Sequence, residues 1–459
     1  MERLDYWIRG CVDPFSGERT DIGISDGTVA YVRSAASGSG EERLGMDGSG
    51  IDGSRMDGSR IDGSGMGGGG ANGGAGAGGA AEGLGTGGRG SPVVVNAEGY
   101  AALPGLVETH IHLDKAFLSS RMPGVASDLK QAIAMTAELK KTYTKEDIAE
   151  RSRRVLDRAS RFGVTLLRAQ AEIDPIAGLK SMESALELKR EYADRMDIQL
   201  VAFPQEGIFQ SPGTAELLEE AIRMGADAVG GIPYNDRDAA EHLGFVFRMA
   251  EAHGLPVDLH IDFSDDPDRL DIAEAIRLTK EFGMEGRVAV GHLTSLGSAE
   301  PDVAKRIAAG IADAGIHVFA LPATDLYLNG RGDECRVRRG LTPVRLLLEA
   351  GANVCYGSNN IRNAFTPFGT ADPLDIGLLL AQTAHLGTDE DARRMLEMCT
   401  VRASKALLGH SLRIREGMPA DLTLIRGAGA AELLYERPRD RMVWKRGRLV
   451  AHTVTCMER

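Results

Sequence analysis

The period of the apolar positions changes along the chain. From Asp21, DIGISDGTVAYVRS reads as two short β-like runs joined by a Ser-Asp-Gly-Thr turn, a hairpin signal. From about Leu103 to Leu408, continuous apolar runs of strand length alternate with amphipathic stretches of helical period. The strand-like runs include VTLLRAQAEID, IQLVAFPQ, ADAVGGIP, PVDLHID, RVAVGHL, IHVFALPA and ANVCYGSNN, and SMESALELKREYA, ELLEEAIRMG and AEHLGFVFRMAEAHG are helices between them. Runs apolar on both faces belong in a parallel sheet covered by crossover helices. About eight such repeats predict an α/β fold, a closed (β/α)8 TIM-like barrel rather than an open sheet. After Leu408, SLRIREGMPADLTLI and DRMVWKRGRLVAHT return to short antiparallel-like strands. The chain ends are therefore expected to pair in one small split β-sandwich domain, residues 1–36 and 409–459 with 91–102, flanking a barrel of residues 103–408.

One stretch fits neither pattern. A five-residue unit repeats as MDGSG, IDGSR, MDGSR and IDGSG from Met46 to Gly65, then decays into glycine and alanine. Of the chain's 58 glycines, 23 fall in residues 37–90, which leaves an ordinary composition elsewhere. Such a segment has too little side-chain volume to offset the entropy of ordering it, so residues 37–90 are expected to form a flexible, disordered insert. Calcium-binding repeats would need a longer unit with apolar β-forming positions.

Charge narrows the partners. A net charge of −13 and a pI near 5.4 disfavour nucleic acid and anionic membrane surfaces, which both attract basic proteins. The N-terminus MERLDYWIRG is charged where a signal peptide is apolar, and no run of about 18 apolar residues occurs, so a soluble, cytoplasmic protein is expected. The five cysteines (Cys11, Cys335, Cys355, Cys399, Cys456) are scattered without a CxxC pair, as reduced structural thiols are. Small-molecule chemistry is the remaining class, and a homo-oligomer stays possible.

The histidines carry the chemistry. His110 and His112 flank Ile111 on a strand, so both imidazoles point to one side at its C-terminal end, where barrel enzymes place catalytic groups. His260 in PVDLHID and His292 in RVAVGHL end two later strands. Four histidines at equivalent ends predict a metal centre. The other six (His242, His253, His317, His385, His410, His452) are expected in helices, loops or the β-domain, without a role.

The HxH strand end within LPGLVETHIHLDK, followed by these two histidines, resembles the amidohydrolase superfamily, and within it cytosine deaminase and its relatives. DIQLVAFPQEGI, GADAVGGIP, LNGRGDECRVRRGLTPVRLLLEAGANVCYGSNN and PFGTADPLD support the resemblance, which covers about Leu103 to Leu408. It implies one divalent metal ion, Fe2+ or Zn2+, held by His110, His112 and His260, lowering the pKa of bound water from 15.7 to about 7. His292 would orient the resulting hydroxide, and Gln205 of FPQEG would offer its amide to a ring N–H and C=O. The implied reaction is hydrolytic deamination of a cyclic amidine or related nitrogen heterocycle, a non-peptide C–N bond. No carbamylated lysine serves this family, and FPQ at the corresponding strand end carries none.

Two departures qualify the resemblance. Cytosine deaminases have a proton-shuttling glutamate three residues after the fifth-strand histidine, where this chain has Phe263. They have an Asp-Asp pair after strand eight, where it has Asn359-Asn360, and an amide can ligate a metal but cannot take a proton. General acid–base help is worth about 10²–10⁴ in rate. Another carboxylate (Asp262, Asp265, Glu172, Asp325 or Asp114) takes over; or a changed pocket of Phe263, Asn359, Asn360 and Phe365 selects a substrate needing less proton shuttling; or the chain is a catalytically impaired homologue that binds metal or ligand without turnover. Arg331, Arg336, Arg338, Arg339 and Arg362 read as rim ion pairs or as clamps for an anionic substrate. Asp114-Lys115 reads first as a structural ion-pairing group and otherwise as a contact to substrate. Deleting residues 40–88 is expected to leave the metal content of the purified protein unchanged; loss of metal would give the insert a role in the site.

Overall fold

In the computed structural model, residues 4–34 and 91–455 are described; the Asp-Gly-Ser repeat and the expected insert lie outside them. Strands β1 (Tyr6–Val12), β2 (Arg19–Ser25), β3 (Thr28–Ser34), β4 (Val93–Asn96) and β5 (Tyr100–Pro104) come from the N-terminal part. Asp26 and Gly27, at φ of 47° and 78°, make the two-residue turn of the β2–β3 hairpin; consecutive positive φ values match the twist of the strands they join.

A single residue separates β5 from the barrel. Strands β6 (Leu106–His112), β7 (Val164–Glu172), β8 (Asp197–Phe203), β9 (Ala228–Gly231), β10 (Val257–Ile261), β11 (Val288–His292), β12 (His317–Ala320) and β13 (Asn353–Tyr356) pair side by side in chain order, all parallel. The ring closes where Asn359, just past β13, pairs with Ile111 of β6: Asn359 N–H donates to His110 O at 2.8 Å, and His112 N–H donates to Asn359 O at 2.8 Å. Every residue of β6, β7, β10 and β11 is buried, which explains the unbroken apolar runs. The crossover helices bury one stripe. In Lys145–Arg161, Thr144 caps the N-terminus by accepting from Asp147 N–H, and Ile148, Ser152, Val155, Leu156 and Ala159 face inward at helical spacing. His317 corrects an expectation: it opens β12 at the end of the barrel away from the site, where its Nε2–H donates to Gly286 O at 3.2 Å.

The C-terminal strands β14 (Leu422–Arg426), β15 (Arg441–Lys445) and β16 (Arg448–Thr453) join the first five in one sheet of order β16-β15-β14-β5-β1-β2-β3, with β4 on β1. Only Val12 and Ala101 pair between β1 and β5, and the two halves bury a common core of Ile8, Ile22, Val95, Leu422, Leu424 and Trp444, as a sandwich does. The chain ends therefore meet in one small β unit, as their strand patterns implied.

Buried charges fasten this unit to the barrel. Arg441, fully buried on β15, donates to both carboxylate oxygens of Asp372 at 3.0 and 2.8 Å, and Asp372 caps the barrel helix Pro373–Thr383. Lys445 pairs with Asp197 and Asp421, each at 2.6 Å. Removing Arg441 leaves the buried Asp372 carboxylate with the part-exposed Arg439 alone, so the loss falls below the roughly 3–5 kcal/mol of a fully stranded buried charge. Arg441→Met is expected to lower the unfolding free energy from denaturant titration by somewhat less than that amount. Adding Asp372→Asn, which keeps the helix cap, should recover part of the loss in the same unfolding measurement.

Candidate active site

The period-two geometry of β6 sends His110 and His112 to the barrel interior, and β10 brings His260 to meet them. His110 Nε2 and His112 Nε2 lie 3.0 and 3.1 Å from His260 Nε2. Three ring nitrogens this close cannot all carry protons toward one another. Burial pushes His260 and His112 well below the ordinary imidazole value and His110 below it, so the rings are neutral and present lone pairs. Tetrahedral Zn–N bonds of about 2.0–2.1 Å set nitrogens about 3.3 Å apart. The donor set therefore fits a small divalent cation. The rings are held unequally: His110 Nδ1 faces Gln170 Nε2 at 3.3 Å and Asp258 at 3.7 Å, and Phe203 stacks on His260 with centroids 4.0 Å apart, while His112 Nδ1 and His260 Nδ1 have no hydrogen-bond partner. Burial raises the Asp258 carboxyl, but His110 and Arg168 outweigh it and hold the group below its usual range. Such partners fix ring orientation and tune ligand basicity.

Beside the three rings is a small cavity of about 10 Å³, room for about one water, lined by His112, Lys115, Gln205, Tyr234, His260, Phe263, His292, Asn359, Asn360 and Phe365. His292, from the end of β11, stacks flat on Phe263 with centroids 4.0 Å apart, and its Nδ1 shares a hydrogen bond of 2.6 Å with Asp325 Oδ1. Burial pushes His292 down to about 3 and Asp325 well up, so both favour their neutral forms. Asn359 Oδ1 is buried without a hydrogen-bond partner, and Asn359 and His292 hold φ of 56° and 77°, conformations costing roughly 1–3 kcal/mol each. Asn360 is committed to the wall: its Nδ2–H donates to Thr324 Oγ1 and its Oδ1 accepts from Asn363.

Lys115 occupies the opposite wall, 1% exposed. Its ammonium lies 2.7 Å from Glu172 Oε1, donates to Gln205 Oε1 at 2.9 Å and sits 4.2 Å above the Phe365 ring. Burial would raise Glu172, but Lys115 and Lys140 hold it down at about 2. Glu172, Asp114 and His112 bring ligand atoms close together, yet Glu172 is taken by two lysines and Asp114 Oδ2 by Glu172 N–H at 2.9 Å.

The structure brings together all eight residues expected from the sequence: Gln205, His292, Asn359, Asn360 and Phe365 border the cavity with His112 and His260, and His110 completes the imidazole cluster behind them. None of the five carboxylates considered as replacements lines it. Asp325 acts only through His292, Glu172 and Asp114 stand behind Lys115, Asp262 accepts from the backbone of Asp271 and Ile272, and Asp265 accepts from Gly330 N–H. The five arginines also lie elsewhere; Arg338, for instance, pairs with Asp333 and Arg339 donates to Thr383 O. Lys115 and Tyr234 are the lining residues that the sequence reading did not assign to the site. Lys115 was legible in part, since it follows the HxH strand end by three residues. Tyr234, in the IPYN turn after β9, carried no signal.

Comparison with known proteins agrees with this geometry. Pseudomonas sp. (strain ADP) N-isopropylammelide isopropyl amidohydrolase is 28% identical over 365 residues, spanning 78% of this chain and 87% of that protein. Rhizobium rhizogenes (strain K84) pterin deaminase is 27% identical over 352 residues, 76% of this chain and 80% of that one. Klebsiella pneumoniae 5-methylcytosine deaminase, solved with phosphonocytosine, superposes with a TM-score of 0.83 at 25% identity, covering 99% of this chain and 100% of that one. The family model described as amidohydrolase family matches residues 93–451, from the first strand after the glycine-rich stretch to the last strand of the β unit. The chain therefore belongs to the amidohydrolase family.

Proposed function

We propose that this chain is a metal-dependent hydrolase that removes an amino or substituted amino group from a small nitrogen heterocycle. The observation that carries the reading is the convergence of three neutral imidazole nitrogens beside a small cavity that His292 and Gln205 also line. The relatives named for action on isopropylammelide, pterin and 5-methylcytosine support the substrate class. His110, His112 and His260 would hold the ion, and imidazole suits both iron and zinc. A divalent cation there supplies Lewis acidity and lowers the pKa of bound water to about 7.

The chain's own groups do the rest. Gln205 and the Phe263 and Phe365 rings border the cavity and orient the flat substrate against the imidazole cluster. His292, with Nδ1 committed to Asp325, exchanges protons through its remaining nitrogen: it takes one from the attacking water and returns it to the departing nitrogen. One C–O bond forms, one C–N bond breaks, and ammonia or an amine leaves. Asp325 holds the ring in place through Nδ1 and does not touch substrate. A second reading, an impaired homologue that binds without turnover, draws on one observation: no carboxylate lines the cavity, and Asn359 stands where the resembling enzymes have aspartate.

Ammonia or amine release should be assayed on metal-loaded protein across cytosine, isocytosine, creatinine, aminotriazines and pterins. His110→Ala is expected to lose bound metal by elemental analysis, together with all turnover. His292→Ala should keep its metal and lose about 10²–10⁴ in kcat, the usual worth of general acid–base catalysis. Phe263→Glu combined with Asn359→Asp separates the readings: an active enzyme should lose native turnover, whereas turnover appearing only in the double variant would establish the impaired one.

A further inference from the structure

We infer that Lys115 and Gln205 select heterocycles that present an anionic, acceptor-only edge, such as an ionised ring lactam or imide. The inference rests on the hydrolase reading above and adds the charge state of the substrate.

Gln205 would ordinarily offer both a donor and an acceptor, and so match a neutral ring edge carrying N–H beside C=O. Here its Oε1 already accepts from Lys115 Nζ at 2.9 Å, and Asn235 Nδ2–H fixes the local backbone by donating to Gln205 O at 2.8 Å. No bond is made by Gln205 Nε2 to another described residue, so the amide's free function toward the cavity is its donor. Lys115 is a donor only. Two of its three protons are directed to Glu172 and Gln205, and its charge lies over the Phe365 ring at the cavity wall. A ring edge facing this pair meets only donors. A neutral lactam would bring its own N–H against them, whereas an ionised lactam brings a ring nitrogen and an oxygen that both accept.

The rest of the lining points the same way. Lys115 is the one ammonium among the described lining residues; burial pulls it below its ordinary value, and the Glu172 and Asp114 carboxylates work to keep its charge. Phe263 and Asn359 put a neutral ring and a neutral amide where the resembling enzymes carry carboxylates that would repel an anion. The carboxylate that neutralises Lys115, Glu172, is itself shared with Lys140, which also pairs with Asp174 and Glu206 at 2.8 Å each. The negative charge of this network is thus held behind Lys115, away from the cavity.

The test uses two probes of the same shape with the zinc-loaded protein: 2-amino-4,6-dihydroxy-1,3,5-triazine, an acidic ring imide, and 6-aminouracil, in which a C–H replaces one ring nitrogen and the acidity is far weaker. Affinity is read as KM where there is turnover and as Kd by calorimetry where there is none. The wild type should bind the triazine at least about tenfold more tightly. Lys115→Met should weaken triazine binding by about 10–100-fold, the usual worth of a charge-assisted hydrogen bond, with little effect on 6-aminouracil. Lys115→Arg should restore part of the preference. Equal affinities in the wild type, or a preference that survives Lys115→Met with metal content intact, would overturn the inference, and the wild-type comparison decides even if the variants do not fold. Tight triazine binding without any turnover would instead defeat the hydrolase reading and leave the selectivity standing.

Discussion

The site depends on how the barrel closes. Asn359 is hydrogen-bonded through its backbone to both His110 and His112, so the bonds that join the last strand to the first also place the two histidines opposite His260. One layer deeper, Glu108 braces the joint: its carboxylate accepts from Ser358 N–H at 2.9 Å, Ser358 Oγ–H at 2.6 Å and His110 N–H at 3.2 Å. Burial raises this carboxyl to about 7 despite those donors. Gly357 is required beside it, because a Cβ there would lie 2.8 Å from the Glu108 oxygen and 3.0 Å from the His110 backbone. Closure of the fold and assembly of the imidazole cluster are therefore one structural event.

Burial then sets the chemistry. Taking imidazoles out of water disfavours their charged forms, which converts His110, His112 and His260 into the neutral ligands a cation needs. The same penalty acts on Lys140 and Glu172, but there opposite charges at 2.8 Å outweigh it, whereas Lys115, 2.7 Å from Glu172, is left below its ordinary value. The barrel mouth thus keeps two kinds of polar group side by side: the neutral nitrogens of the imidazole cluster and a paired ionic network. Phe263 stacks on His292 beside them.

Much of this was legible in the chain. Continuous apolar runs gave the parallel strands, because a strand buried on both faces has no polar side to alternate with. HxH gave the same-face pair, because side chains alternate along a strand. The pairing of Lys115 with Glu172 was not legible, since the two lie at strand ends far apart in sequence, although each was singled out separately. Of the two readings of the arginines, the clamp fails for the converse reason: they are near the mouth in sequence, but their side chains reach Asp333, Thr383 and neighbouring carbonyls. The absence of a carboxylate from the cavity lining also depended on knowing where Asp262 and Asp265 turn.

The sequence by itself determined the barrel, the union of the two chain ends and the identity of the converging histidines, because hydrophobic period and strand alternation are local properties. Only the tertiary structure decided which charges face the cavity. That choice depends on distances between strands and on what burial leaves unpaired, and neither quantity is written in any one segment of the chain.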